Sequence, residues 1–323
     1  MTRQTLTGIL LFGLAAAVPA FVANPFYLHT GIALMVNIVL ALSLNFILGY
    51  VGEKSLGHAA FYGIGGYTAA ILAINYALPA WLTLIAGAFV SGLFGLIVGY
   101  PSLRLRGPYF AIATLGFGAI LQLIATNWVA VTKGPMGMPG VPPISLPNPF
   151  GAGFVFSTER PYYYLALIFV ALTCWITYRL ANSRTGRAFV AIHENVDLAE
   201  SVGIDTFNFK MIAFLLGTVL AGLIGAFNAH YTNFISPKAL EPYLTLNAVT
   251  MVIIGGEGTL AGPIVGAVLV TFLPEVLRVA EQYRMVFFGL ILLISIIYAP
   301  SGIVGLVRNI AGRREAARHG NAA

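Results

Sequence analysis

The chain reads as apolar runs of helix length separated by short polar joints. The runs cover about residues 6–23, 31–48, 67–76, 81–100, 108–129, 162–181 and 211–230, with shorter ones at 244–254 and 260–273 and a last one at 285–298. Roughly 20 apolar residues span a bilayer as a helix, so the pattern predicts an all-α polytopic membrane protein with about ten transmembrane helices. Ala15, Ala16 and Ala17 give the first run a leader-like cleavage signal. The run is long for a leader, and it is read as a retained first span. Composition agrees, with 59% hydrophobic and 9% charged residues and a mean hydropathy of +0.88. A soluble domain carries roughly 25% charged residues. Cys174 is the single cysteine, so no intrachain disulfide forms, and no His/Cys spacing points to a metal.

The longest joint carrying both signs of charge is 182–209, which holds Arg184, Arg187, Glu194, Asp197, Glu200 and Asp205. A connector this long between spans is rarely bare chain. The pattern predicts a short helix inside it. Asn195 stands as N-cap, Asp197 in the first turn and Gly203 as a left-handed stop. Ile192, Val196, Ala199 and Gly203 fall on one face. Such a helix can dock into a groove on a soluble partner; the alternative is a solvated loop that only orients two spans.

Residues 49–66 are dense in glycine and contain Glu53, Lys54 and His58. The Gly-x4-Gly-Lys-Ser spacing of a phosphate loop is absent. Dense glycine permits either close helix packing or a helix break, and broken backbone at membrane depth must line a cavity or be buried in protein. The stretch has an echo. Ser43-Leu44-Asn45 precedes Gly52-Glu53-Lys54-Ser55-Leu56, and Thr245-Leu246-Asn247 precedes Gly256-Glu257-Gly258-Thr259-Leu260. Interrupted segments at matching positions of two halves point to a transport path. The expected path residues are Asn45, Gly57, His58, Asn247, Gly256 and Glu257, with Glu257 facing a cavity or the cytoplasmic mouth. The expected organisation is a single permease domain over 1–323, with repeat halves at 31–130 and 210–307.

Basic residues orient the chain. With ten crossings and both termini inside, Lys133, Arg160, Lys238, Arg278 and Arg284 fall outside and the other twelve of the 17 Lys and Arg fall inside. This bias accounts for the net charge of +6 without nucleic-acid binding. It makes 182–209 a cytoplasmic loop. It makes 131–161, rich in proline and poor in charge, a periplasmic cap or docking surface.

The stretches SLGHAAFYGIGGYTAAIL, RLRGPYFAIATLGF and GRAFVAIHENVDLAESVGID, the last followed by FK and AF, together resemble the M-type permeases of branched-chain amino acid ABC importers. The resemblance runs from about residue 37 to 305. It implies a bacterial inner-membrane subunit that pairs with a homologous second permease. Two cytoplasmic ATPases, which bind the ATP, and a periplasmic solute-binding protein complete the importer. It implies no cofactor and no chemistry on substrate in this chain. It also implies that 182–209 is the coupling loop, with Glu194, Asn195, Asp197, Ala199, Glu200, Ser201 and Gly203 at the ATPase contact. Ala199-Glu200-Ser201 is the counterpart of the permease Glu-Ala-Ala motif, with Ser201 in place of an alanine. Many relatives have Gly-Gln before the Ser-Leu-Gly, whereas this chain has Gly52-Glu53-Lys54.

Three other readings stand beside it. One is an ion-coupled secondary transporter with Glu53 and Glu257 as a relay. Another is an ABC permease for urea or short amides. The third is an intramembrane enzyme using His58 or His193, for which no nearby Ser, Cys or Asp gives a triad in the sequence.

Overall fold

The computed structural model describes residues 12–20, 24–105, 107–146, 154–276, 293 and 302–306. The start of the first apolar run, most of the last one and the basic tail lie outside the described residues.

Residues 12–20 are helical. Helix α1 (Pro25–Asn45) opens where the Asn24 side chain accepts the Phe26 N–H and proline occupies its first turn. It runs on as a five-residue π-helical stretch, Phe46–Tyr50. Next come α2 (His58–Tyr76), α3 (Ala80–Ser102), α4 (Pro108–Asn127), α5 (Glu159–Ala181), α6 (Arg184–Glu194), α7 (Val196–Ser201), α8 (Thr206–Thr232), α9 (Pro242–Gly255) and α10 (Ala261–Val276). Among the described residues, five segments are long and apolar enough to cross a membrane: Pro25–Tyr50, α3, α4, α5 and α8.

The 14 residues of α9 reach about 21 Å at 1.5 Å per residue, short of a hydrocarbon core of roughly 30 Å. Helices α9 and α10 fold back on each other as an antiparallel hairpin. A Cβ at Gly255 would strike the Gly262 carbonyl, and one at Gly266 the Met251 carbonyl. The hairpin turn, residues 256–260, reaches the end of α1 at Gly49. The joint 51–57, the connector 182–205 and this turn therefore share one end of the bundle, called here the connector end.

Both readings of the glycine-dense stretch apply, each to its own part. Helix α2 is continuous from His58, so the glycine-dense 57–66 is packing surface and the break is confined to 51–57. Gly63, Gly65 and Gly66 face neighbours too close for a side chain. Helix α8 lies between α2 and α3 with backbones touching. A Cβ on Gly65 would strike the Gly222 carbonyl, one on Gly225 the Tyr62 carbonyl, and one on Gly222 the Ser91 side chain. The Ser91 hydroxyl bridges all three helices, facing the carbonyls of Phe61 on α2 at 3.0 Å and Thr218 on α8 at 2.8 Å.

At the opposite end, the proline-rich loop is anchored rather than loose. Strand β1 (Met138–Pro139) pairs antiparallel with β4 (Phe234–Ile235), just beyond α8, and β2 (Ser145–Leu146) pairs with β3 (Phe154–Val155). His230, buried near the end of α8, joins the Thr83 hydroxyl at 2.7 Å to the Pro142 carbonyl at 2.8 Å. Asn233, left-handed at φ 54°, donates its amide to the Val141 carbonyl.

The glycine contacts give a direct test. Gly222→Leu forces bulk against the bridging Ser91 side chain and the Gly87 carbonyl behind it, and we expect a loss of about 3 kcal/mol or more, at the top of the range for overpacking. Gly116→Ala, at an exposed position with nothing within 4 Å of the new Cβ, should be neutral or slightly stabilising. Thermal unfolding in detergent distinguishes them; equal midpoints would show that the α2–α3–α8 contact is not tight.

Candidate functional site

Three elements meet at the end of α1. The first is the break itself. A helix that stops leaves its last carbonyls without intrahelical partners. Here the Glu53 N–H returns to the Ile47 carbonyl at 3.0 Å, and Gly52 turns the chain at φ 84°, a conformation natural to glycine.

The second element is the α9–α10 turn. Asn45 is fully buried. Its Nδ2 donates to the Thr259 carbonyl at 2.9 Å, and its Oδ1 accepts the Gly258 N–H at 3.1 Å. One side-chain amide thus pairs two backbone groups of the turn, and the Thr259 hydroxyl pairs two more, facing the Gly256 carbonyl at 2.8 Å and accepting the Gly262 N–H at 2.9 Å. Gly49 lies against this clamp, and a Cβ there would strike both Asn45 Oδ1 and the Gly258 nitrogen.

The third element is the connector. It holds two helices, of which α6 was not anticipated. Ser183 caps α6 by accepting the Gly186 N–H, and its buried face is Gly186, Ala188, Phe189 and Ile192. In α7 Asn195 accepts the Leu198 N–H, and Asp197 lies in the first turn. The exit is a paired stop, Gly203 N–H to the Glu200 carbonyl and Ile204 N–H to the Ala199 carbonyl, with Gly203 at φ 87°. His193 Nδ1 lies 3.0 Å from the Gly49 carbonyl. A carbonyl can only accept, so Nδ1 carries the hydrogen. Lys210, in the first turns of α8, pairs with Glu53 in the break at 2.5 Å, with side chains only 8% and 12% exposed.

Other expected site residues are placed as follows. Ala199 is 2% exposed and packs inward on this chain, whereas Ser201 and Gly203 are exposed. The outer surface carries two apolar residues, Leu198 63% and Val202 70% exposed, among the exposed Asp197, Glu200, Ser201 and Gly203. The physical reason is spacing: the face that includes Ile192 and Ala199 covers the core, which turns the intervening apolar residues out. Glu200 accepts from the Thr206 hydroxyl at 2.6 Å, and Ser201 bonds back to the Leu198 carbonyl. Glu194 is exposed. The two Asn residues of the echo are not equivalent here. Asn247 is half-buried, and Thr245 makes the long-range bond by accepting the Ala59 N–H at 2.8 Å. Gly57 backs onto the Thr114 backbone, Gly256 is buried against Gly302, and Glu257 is exposed on the turn.

His58 does have a serine beside it, contrary to expectation: Ser43 Oγ lies 2.8 Å from Nε2, and both residues are buried. The Ser43 hydroxyl also meets the Leu40 carbonyl at 2.7 Å. His58 Nδ1 faces the interior with no hydrogen-bond partner among the described residues, so no third group orients the ring as a triad would need.

The Asn45 clamp predicts that the echo is energetically lopsided. Asn45→Leu strands a donor and an acceptor at about 1–3 kcal/mol each, and we expect a marked drop in the unfolding midpoint in detergent. Asn45→Asp keeps one of the two bonds and should fall between. Asn247→Leu should cost much less; an equal loss at both positions would contradict the clamp.

A sequence model of the family described as branched-chain amino acid transport system / permease component matches residues 27–296. The chain is 32% identical over 295 residues to the high-affinity branched-chain amino acid transport system permease protein LivM of Salmonella typhimurium, covering 85% of this chain and 69% of that one. It is 31% identical over 324 residues to LivM of Escherichia coli, covering 95% and 76%. It is also 25% identical over 295 residues to the second permease of the same name series in Escherichia coli, LivH, covering 83% and 90%. LivM and LivH of Escherichia coli are thus two permease proteins named for one such transport system. On the strength of a match over most of its length, this multi-pass membrane chain belongs to the branched-chain amino acid transport permease family.

Proposed function

We propose that this chain is one of the two permease subunits of an ATP-driven importer for branched-chain, hydrophobic amino acids in a bacterial inner membrane. A homologous second permease lines the other half of the path. A periplasmic binding protein delivers substrate to the loop 131–161 and its neighbours, and two ATPases bind ATP below the connector. This chain does no chemistry on substrate and carries no cofactor. The proposed architecture is about ten transmembrane helices in halves 31–130 and 210–307, with both termini in the cytoplasm.

The observation that carries the reading is α7. It is capped at both ends, glued to its own bundle through Ala199, and offers Leu198 and Val202 outward from an otherwise polar connector. Two exposed apolar residues on a rigid helix suit an apolar groove on a soluble partner. Names of the relatives support the substrate class. Rocking of the helices around a central path then alternates access. The ion-coupled alternative is less well supported, because Glu53 is tied to Lys210 and so is poorly placed to relay protons.

Two outcomes test this. A reporter fused after Asn195 should read cytoplasmic and one inserted between 140 and 144 periplasmic; reversed readings would remove the topology. Leu198→Asp with Val202→Asp should weaken ATPase co-purification at least about tenfold, roughly 1.4 kcal/mol, and abolish leucine, isoleucine and valine uptake. Glu200→Ala should be milder. Full ATPase content in the double variant would show that α7 is not the docking helix.

A further inference from the structure

The connector and the break are joined twice, and the two joints flank α7. On one side His193, the penultimate residue of α6, donates from Nδ1 to the Gly49 carbonyl, and its ring packs 3.3 Å from where a Cβ on Gly52 would stand. On the other side Lys210, just inside α8, holds Glu53. Both joints end within five residues of each other in the π-helical end of α1 and the break behind it. Gly49 in turn lies against the Gly258 backbone beside the Asn45 amide.

We propose that His193 and the Lys210–Glu53 pair are positioning residues for transport: they convert displacement of α7 into a shift of the Gly49–Gly258 contact, where the two interrupted segments meet. This rests on the importer reading above. The geometry favours it for three reasons. Helix α7 has six residues and is fixed at both ends, so it cannot move without dragging α6 or α8. The Gly49 carbonyl is an orphan of a terminated helix, and the connector supplies its partner. A π-helical turn at the receiving end is a common place for a helix to change its hydrogen-bond register.

The test uses the whole importer, with both permeases, ATPases and binding protein, in liposomes supplied with leucine and ATP. Uptake and ATP hydrolysis are measured separately, with subunit content. His193→Leu should assemble with a full complement of ATPases and hydrolyse ATP, while leucine moved per ATP falls at least about fivefold, within the usual span of coupling between sites. His193→Asn places an amide nitrogen where Nδ1 stood and should restore coupling. As a second, independent pair, Glu53→Met with Lys210→Met should uncouple, whereas the exchanged pair Glu53→Lys with Lys210→Glu should recover coupling. Wild-type coupling in His193→Leu and in the double Met variant overturns the proposal and leaves the importer reading standing. Equal failure of His193→Asn and His193→Leu also overturns it, since ring packing alone would then be what counts. Loss of ATPase subunits from His193→Leu makes His193 a docking contact and overturns it likewise. Absence of ATP-dependent uptake in the unaltered importer removes the importer reading and this proposal together.

Discussion

Backbone that leaves a helix inside a bilayer has no water to turn to, and the protein must supply each missing partner. The α9–α10 turn meets this constraint through two side chains: Asn45, which offers a donor and an acceptor in the spacing of a peptide group, and Thr259, whose hydroxyl pairs the Gly256 carbonyl and the Gly262 N–H. The π-helical end of α1 meets it through the Glu53 N–H and through His193. Everything near the connector end follows from these pairings. Gly49 has no room for a side chain because the clamp fills it, and Gly52 adopts positive φ to bring Glu53 back over the break. The Lys210–Glu53 pair is nearly sealed from solvent. Such a pair repays its desolvation only with close geometry, so its worth lies in directing the chain more than in stabilising it.

The bundle around this junction is assembled by a different device. Lipid gives apolar side chains little reason to leave it, so helix contact depends on close packing and polar bridges. Glycines let α2, α3 and α8 approach to backbone contact, and Ser91 links all three. Helices α4 and α5 keep broad apolar faces outward, with Ile112, Ile120, Ile168 and Trp175 exposed. The division is physical: the glycine-lined helices form the tightly fitted centre, and the side-chain-rich helices meet lipid or another subunit.

Much of this was legible in the amino-acid sequence where the cause is local. The apolar runs place the helices, Asn195 and Gly203 bracket α7, and the two Gly-Glu stretches mark the interruptions. What was not legible depends on partners far apart in the chain. Asn45 meets Thr259 and Lys210 meets Glu53 only once the bundle is built. Spacing gave Ala199 its face but not the direction of that face, because a small residue fits a partner's groove and its own core equally well. The echo of Asn45 and Asn247 proved unequal here for the same reason: the short motif is shared, while the neighbours that give each amide its work are not. Helix α6 escaped because Gly186 weakens its propensity, and the packing of Phe189 and Ile192 on the bundle compensates.

Helix α8 has fittings at both ends. Its 27 residues extend about 40 Å at 1.5 Å per residue, of which roughly 30 Å separates Lys210 beside the break from His230 under the proline-rich loop. A straight rod secured at each end cannot slide at one without sliding at the other. Thermodynamic reciprocity then applies to it: if a shift at Lys210 alters how firmly the far loop is held through Thr83 and Pro142, an object that grips that loop must alter the balance at Lys210 by the same free energy. Whatever displaces α8 at the Lys210 end is therefore felt at His230, and the reverse holds equally.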